Sequence, residues 1–219
     1  MTRAKSELPP LQPARSGRKP VQTHEAIVLA GCMIHTEIDE AGLGWLSRTL
    51  KCKPDIPDPP SGTFNNLDLT MRVSTFDDID TCARVATKVL GLSQIAAIGL
   101  RELLVNAVEH GNLGITFDEK SELLKNGHWQ EEIERRLRSP EHRQKFASVS
   151  IKRDRACFAI VIRDQGSGFD WQTYLETREK PSTLLHGRGT SLAMSAEFAA
   201  VQYRGTGSEV FVSGTCDLG

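Results

Sequence analysis

The amino-acid sequence predicts an α+β fold, a two-layer sandwich in which helices cover one face of a mixed, mainly antiparallel sheet. Segments with strand and helix periodicity follow one another in the order β-α-α-insert-β-β-α-β-β. Two of the strand pairs are joined by short turns, as in antiparallel hairpins. The length of 219 residues, 39% of them hydrophobic and 25% charged, suits one main domain with a sizeable core.

Charge and cysteine content narrow the class of protein. The net charge of -1 gives no general attraction to nucleic acid or to an anionic membrane, so we expect neither as a partner. The five cysteines contain no C-x-x-C pair, which argues against a disulfide framework or a zinc site and favours a cytoplasmic location. "VLAGC", Val28 to Cys32, resembles a lipoprotein cleavage box, but the apolar run before it is shorter than the roughly 7–15 residues of a signal peptide. A short buried strand is the better interpretation.

The first 62 residues are predicted to precede the main domain. Residues 1–20 are rich in proline and basic residues and indicate a flexible basic tail. Residues 21–62 form an N-terminal extension, in which a short apolar run and "AGLGWLSRTL" predict a small strand and a helix. The four prolines of "KPDIPDPPSG" exclude regular structure, so this stretch is a linker or a strap over the following domain.

The main domain, residues 63–219, begins with a strand and two helices. "NLDLTMRV" alternates apolar with polar residues, which is the period of a half-buried strand. Residues 77–90 carry apolar side chains at helical spacing, and Gly91 ends that helix. Ser93 is expected to cap the next helix, which is predicted to run to His110 with Gly111 as its C-terminal stop.

A charged insert, about residues 113–146, separates these helices from the rest of the sheet. Residues 118–145 hold seven acidic and seven basic residues, which predicts a solvated helical excursion with internal ion pairs. "FASVSIK" and "CFAIVIRD" then predict two strands around the turn Asp154-Arg155. "TSLAMSAEFA" predicts a short helix, and "VQYR" and "EVFVSG" predict a hairpin around the four-residue loop "GTGS".

The stretch "RELLVNAVEHGN" carries polar residues in an otherwise apolar helix. Glu102, Asn106 and His110 recur every four residues, so they form one strip. The intervening apolar residues occupy a neighbouring arc that faces the sheet, which places the strip at the edge of the core. Alone, such a strip is typical of a solvated helix face; the motifs that follow favour a site.

A second motif, "IVIRDQGSGF", ends a buried strand with Asp164, Gly166 and Gly168. Glycines permit tight turns and the close approach of a ligand. An aspartate at the exit of a strand can accept a hydrogen bond from a ligand amine. The glycines occupy positions where a calcium loop requires oxygen ligands, which excludes that site.

A third motif, "HGRGTSLAMS", places Gly187 and Gly189 before a predicted helix start with Thr190 or Ser191 as its cap. Free N–H groups at a helix N-terminus suit phosphate. The fourth motif, "GTGSEV", is compatible with a simple hairpin turn. The chain has no G-x-x-x-x-G-K-[ST] loop and completes no G-x-G-x-x-G fingerprint, so the P-loop and Rossmann interpretations fail.

Taken in order, E-x-x-x-N-A-x-E-H-G-N, D-x-G-x-G-F, G-R-G and G-x-G-S resemble the GHKL (Bergerat-fold) ATPase superfamily over about residues 65–214. Within it, the "EHGN" ending and the small domain resemble the anti-sigma-factor serine/threonine kinases. The resemblance implies a Bergerat ATP-binding fold with ATP and Mg²⁺ as cofactors. The family usually has Leu or Met where this chain has Thr190.

The resemblance also implies residue roles. Asn106 would coordinate magnesium, and Glu102 would act as general base or orient the attacking group. Asp164 would bind the adenine amino group above Gly166 and Gly168. Residues from about Asp170 to Arg188 would form a mobile lid, with Arg178, Lys180 and Arg188 facing the phosphates. The remaining nucleotide-binding residues would be His110, Gly187, Gly189, Thr190, Gly207 and Ser208.

Three functions are compatible with these motifs. The first is a serine/threonine kinase that phosphorylates a small antagonist protein and sequesters a sigma factor. Its partner would be one of these regulatory proteins. A homodimer of the chain is compatible with this function. The second is the catalytic domain of a histidine kinase, but only 77 residues separate His24 from Glu102 and the prolines interrupt any continuous dimerisation hairpin. The third is an ATP-dependent protein-binding switch without transfer activity.

Overall fold

The structure is a computed structural model that describes residues 27–29, 32–36, 38–51, 57–169, 171 and 198–216. In chain order its elements are β1 (Ile27–Leu29), β2 (Cys32–Ile34), α1 (Glu40–Lys51), β3 (Leu67–Val73), α2 (Phe76–Leu90), α3 (Gln94–Asn106), a π-helical segment (Ala107–Asn112), α4 (Phe117–Asn126), α5 (Trp129–Arg138), β4 (Ala147–Arg153), β5 (Cys157–Arg163), β6 (Phe198–Arg204) and β7 (Glu209–Thr215).

Several predictions fall outside the described residues. They concern the basic tail 1–20, the lid apart from Trp171, most of the helix predicted from "TSLAMSAEFA", and the phosphate motif with Gly187, Arg188, Gly189 and Thr190.

The described strands form one seven-stranded sheet in the order β1-β2-β3-β4-β5-β7-β6. The predicted α+β class is confirmed, and the hairpin of β6 and β7 has the predicted four-residue loop. All described neighbours pair antiparallel, so the expected mixed character is not seen among them. Strand β6 begins at Phe198, earlier than predicted, because Phe198 already pairs with Gly214 of β7.

Burial alternates along the central strands, so one face of the sheet is covered and the other is partly exposed. The inward side chains share one apolar core with buried residues of the helices, among them Ile79, Val85, Leu100 and Leu104. Each fully buried aliphatic side chain of this kind contributes about 1.5–3 kcal/mol. This burial arises because the helical and strand periods present their apolar positions to the same layer.

The ends of α2 and the start of α3 are set by local chemistry. Thr75 and Asp78 form a capping box at the start of α2, and Gly91 ends the helix in the left-handed conformation, at φ +70°. The side chain of Ser93 accepts a hydrogen bond from the N–H of Ala96. The predicted stop at Gly91 and the predicted cap at Ser93 are both confirmed.

The N-terminal extension is part of the same sheet and core. Strands β1 and β2 form a hairpin that adds to β3, and Trp45 of α1 is buried. The indole N–H of Trp45 donates to the carbonyl of Pro57 over 2.8 Å, and Lys88 of α2 pairs with Asp58. The described end of the proline-rich stretch is therefore a strap over α1 and α2.

The charged insert folds as the helices α4 and α5. Internal ion pairs are present as predicted: Arg135 and Arg136 both bind Glu132 and lower the pKa of that carboxyl to about 2. The insert is nevertheless not a purely solvated excursion, because Ile133 is buried in the common core. None of the helices in the described ranges is long and apolar enough to cross a membrane.

Candidate functional site

The helix that carries the polar strip does not end as predicted. After Asn106 the chain continues as the π-helical segment Ala107–Asn112, and the predicted stop at Gly111 is wrong. Gly111 is not among the glycines of positive φ, whereas Gly114 is, at φ +67°. The helical conformation therefore ends after Asn112, the last residue of the motif "RELLVNAVEHGN". Single turns of π-helix are rare and are frequent at functional sites.

Three of the four sequence motifs meet around a cavity of about 240 Å³. The helical strip contributes Asn106 and His110, the end of β5 contributes Asp164 and Gly168, and the β6–β7 turn contributes Gly207. The other lining side chains are largely apolar and include Leu103, Ala107, Ile115, Phe117, Ile162, Phe169, Tyr203 and Val210. The cavity thus combines apolar walls with a few polar groups, the usual character of a small-molecule site.

Among the described residues that line this cavity, Asp164 is the acidic one. Its backbone N–H donates to the carbonyl of Ser208 over 3.0 Å, and its Oδ1 accepts the N–H of Gly166 over 2.8 Å. Burial raises the pKa of the carboxyl above its usual range. The second carboxyl oxygen has no hydrogen-bond partner among the described residues, so it can accept a proton donor from a ligand.

The glycines of the site allow protein segments to approach one another closely. A Cβ at Gly166 would lie 2.3 Å from the carbonyl oxygen of Gly111, and one at Gly168 would lie 2.1 Å from that of Thr206. Gly168 also has φ +82°, a conformation that other residues rarely adopt. The sequence suggested that these glycines admit a ligand, whereas in the structure they join the β5 loop to the π-helical segment and to the β6–β7 turn.

His110 has a defined tautomer. Its Nδ1–H donates to the carbonyl of Ile115, and its ring lies against that of Phe117 with 4.1 Å between centroids. Burial is the main cause that lowers the pKa of the imidazole, which favours the neutral form. Because the proton is on Nδ1, Nε2 carries a lone pair and can only accept.

Some predicted site residues do not line the cavity. Glu102 is half-buried on α3, one turn before Asn106, and does not line the cavity. The hydroxyl of Ser208 lies 3.2 Å from that of Thr206, and the Ser208 carbonyl supports Asp164. Ser208 therefore has a structural role in the turn.

Two residues of the "EHGN" motif have functions that sequence reasoning missed. Glu109 is fully buried and its carboxylate binds side chains of the insert. Asn112 is 2% exposed, and its Oδ1 accepts the N–H of Gln165 over 2.8 Å, which fixes the loop that follows Asp164. The available signal was position: Glu109 directly follows the apolar residues Ala107 and Val108, and a polar side chain that is buried beside them needs a partner.

Metal ligands are sparse in this region. The part of the chain that the structure describes holds no cluster of three or more His, Cys, Asp or Glu residues suited to a metal ion. The amide oxygen of Asn106 could supply one ligand. Magnesium commonly takes most of its ligands from water and substrate phosphates, so a single protein oxygen is compatible with it.

Comparison of the chain with protein-family models, with curated proteins and with solved structures finds no match.

Proposed function

We propose that this chain is a cytoplasmic, ATP-binding serine/threonine kinase of the anti-sigma regulatory type with a Bergerat-type two-layer fold. In this proposal it transfers the γ-phosphate of ATP to a hydroxyl of a small antagonist protein. The observation that carries the proposal is the carboxylate of Asp164, which lines an apolar cavity where three motifs converge and has one oxygen without a hydrogen-bond partner among the described residues.

The cavity fits a purine base better than a whole nucleotide. Its volume of about 240 Å³ is below the roughly 300–1,000 Å³ typical of ligand pockets. Asp164 would accept a hydrogen bond from the amino group of adenine, and apolar side chains such as Leu103 and Ile162 would cover the ring. The sugar and phosphates would extend beyond the described lining.

Asn106 would lie between the base and the phosphates in this proposal. It lines the cavity, and its amide oxygen would bind a magnesium ion together with phosphate oxygens and water. Magnesium would supply charge neutralisation for the transferred phosphoryl group. Glu102 lies one turn earlier on α3 and outside the base cavity, a position that suits a group acting on the attacking hydroxyl.

The proposal is tested by the chemistry of the phosphorylated product. The chain is incubated with Mg-ATP carrying a labelled γ-phosphate and with a lysate of its source, and the products are then treated with acid. A phosphate ester on a separate small protein survives acid and supports the proposal. Acid-labile label on this chain would indicate a histidine kinase, and ATP binding without any label would indicate a switch.

A matched pair of variants controls that experiment. Glu102→Ala should abolish the acid-stable label, whereas Glu122→Ala, an exposed glutamate of α4, should leave it unchanged. Undiminished labelling by the Glu102 variant would remove this residue from the catalytic assignment.

A further inference from the structure

The insert contacts the π-helical segment through a buried carboxylate. Glu109 is fully buried, and each of its oxygens accepts a hydrogen bond from a different helix of the insert. Lys120 Nζ of α4 donates to one oxygen over 2.5 Å, and the indole N–H of Trp129 of α5 donates to the other over 2.6 Å. Because a buried charge without partners is strongly unfavourable, Glu109 ties both helices to this segment.

Two further contacts hold the end of the segment. The guanidinium of Arg136, on α5, donates to the carbonyl of Leu113 over 2.9 Å. The Nδ1–H of His142 donates to the carbonyl of Asn112 over 3.1 Å. Carbonyls at the end of a helix have no partner within the helix, so these donors stabilise the end of the π-helical segment in its observed place.

The same insert forms part of the cavity wall. Ile115, Thr116 and Phe117 lead into α4 and line the cavity. The ring of Phe117 lies on His110, whose Nδ1–H is held by the carbonyl of Ile115. His110 directly follows Glu109, so the carboxylate that anchors the insert and the imidazole that lines the cavity are on adjacent residues.

We propose that the insert positions the ligand cavity and that Glu109 is the positioning residue that links the docking of α4 and α5 to His110. This inference rests on the proposed nucleotide function and adds its regulation: whatever displaces the insert weakens binding of the base. It also makes the fluorescence of Trp129 a reporter of the insert's position, since the indole N–H donates a hydrogen bond to the Glu109 carboxylate.

The test combines calorimetry with tryptophan fluorescence, using Mg-ATP as the probe. The parent should bind Mg-ATP with a change in emission, and Trp129→Phe, which keeps an aromatic ring against Phe76, should lose that change. Glu109→Gln should weaken binding at least tenfold with unfolding still cooperative. Glu122→Gln, exposed on the same α4, is the matched control and should bind as the parent does.

A double variant tests whether the unpaired charge of Lys120 accounts for part of the loss in the single variant. Glu109→Gln leaves Lys120 charged and without its carboxylate, whereas Glu109→Gln with Lys120→Gln removes both charges and should recover part of the affinity and of the emission change. If the single variant does not fold, the double variant and Trp129→Phe carry the measurement.

Two outcomes would overturn the inference, and they differ. Binding of Mg-ATP by the parent with no Trp129-dependent emission change, and with equal affinity in the Glu109 and Glu122 variants, contradicts the coupling alone. Absence of any nucleotide binding by the parent contradicts the proposed function, and the coupling with it.

Discussion

Replacement of Gly111 by alanine separates the requirements of folding from those of ligand binding. A Cβ at this position would lie 2.3 Å from Cγ of Asp164, 2.6 Å from its Oδ1 and 2.7 Å from its Cβ. Contacts this short require a shift. Rotation of the carboxyl cannot relieve the contact with Cβ, so the backbone around Asp164 must shift as well, and Oδ1 is expected to lose the N–H of Gly166.

The expected magnitude follows from two opposing terms. Overpacking costs about 1–3 kcal/mol, and alanine gains about 1 kcal/mol over glycine in a helical conformation, so the net loss of stability is about 0–2 kcal/mol. Displacement of the carboxyl also removes the hydrogen bond that its other oxygen is proposed to accept from the base, and loss of a hydrogen bond to a charged group weakens binding by about 1.5–3 kcal/mol. That corresponds to about 10- to 150-fold in the Kd for Mg-ATP. The variant should therefore fold and bind poorly.

The assay pairs urea unfolding with titration calorimetry. Gly44→Ala is the matched control, because its Cβ would meet only Arg48 Nη1 at 3.4 Å within regular helix α1. The control should bind Mg-ATP as the parent does and be stabilised by up to about 1 kcal/mol. A folded Gly111→Ala variant with the parent's affinity would refute the assignment of Asp164 to the base.

Three further predictions concern single side chains. Burial raises the pKa of Asp164, so the ionised carboxylate destabilises the ligand-free protein. Asp164→Asn should therefore melt at a higher temperature than the parent near neutral pH. This gain in melting temperature should vanish as the pH falls through the raised pKa. The same variant should bind Mg-ATP more weakly. Burial lowers the pKa of His110, so the parent should lose stability as the pH falls below about 6.5 toward that lowered pKa. In thermal melts over the same pH interval, the melting temperature of His110→Gln should fall less than that of the parent. Glu102→Ala should retain calorimetric affinity and lose phosphoryl transfer, since a group that acts mainly in the transition state adds little to binding; a parallel loss of affinity would contradict that role.

The sequence predicts the regular parts of the fold well because their signals are local. The alternation of β3, the helix stop at Gly91 and the cap at Ser93 each depend on residues within one turn of one another. Convergence of Asn106 and Asp164 on one cavity was implied by the resemblance of their motifs to one ATPase superfamily, and both residues line that cavity.

The end of the α3 helix could not be predicted in the same way. Glycine after a helical run usually indicates a stop, yet Gly111 is required by Asp164, 53 positions further along the chain. Its missing Cβ makes room for the carboxyl, and its carbonyl oxygen lies where a side chain at Gly166 would be. A contact between distant segments thus determines the residue type, and no local pattern contains that information.

The insert also contains a contact between distant residues that its local sequence does not predict. Its balance of charges predicts solvated ion pairs, and exposed pairs contribute only about 0–1 kcal/mol each. The pair of Lys120 with Glu109 differs, because the carboxylate is fully buried and Trp129 satisfies its other oxygen. A lysine among thirteen other charged residues of the insert has no sequence signature that marks it as the buried partner. Since Glu109 directly precedes His110, a contact that the sequence does not reveal is one of those that join the insert to the cavity.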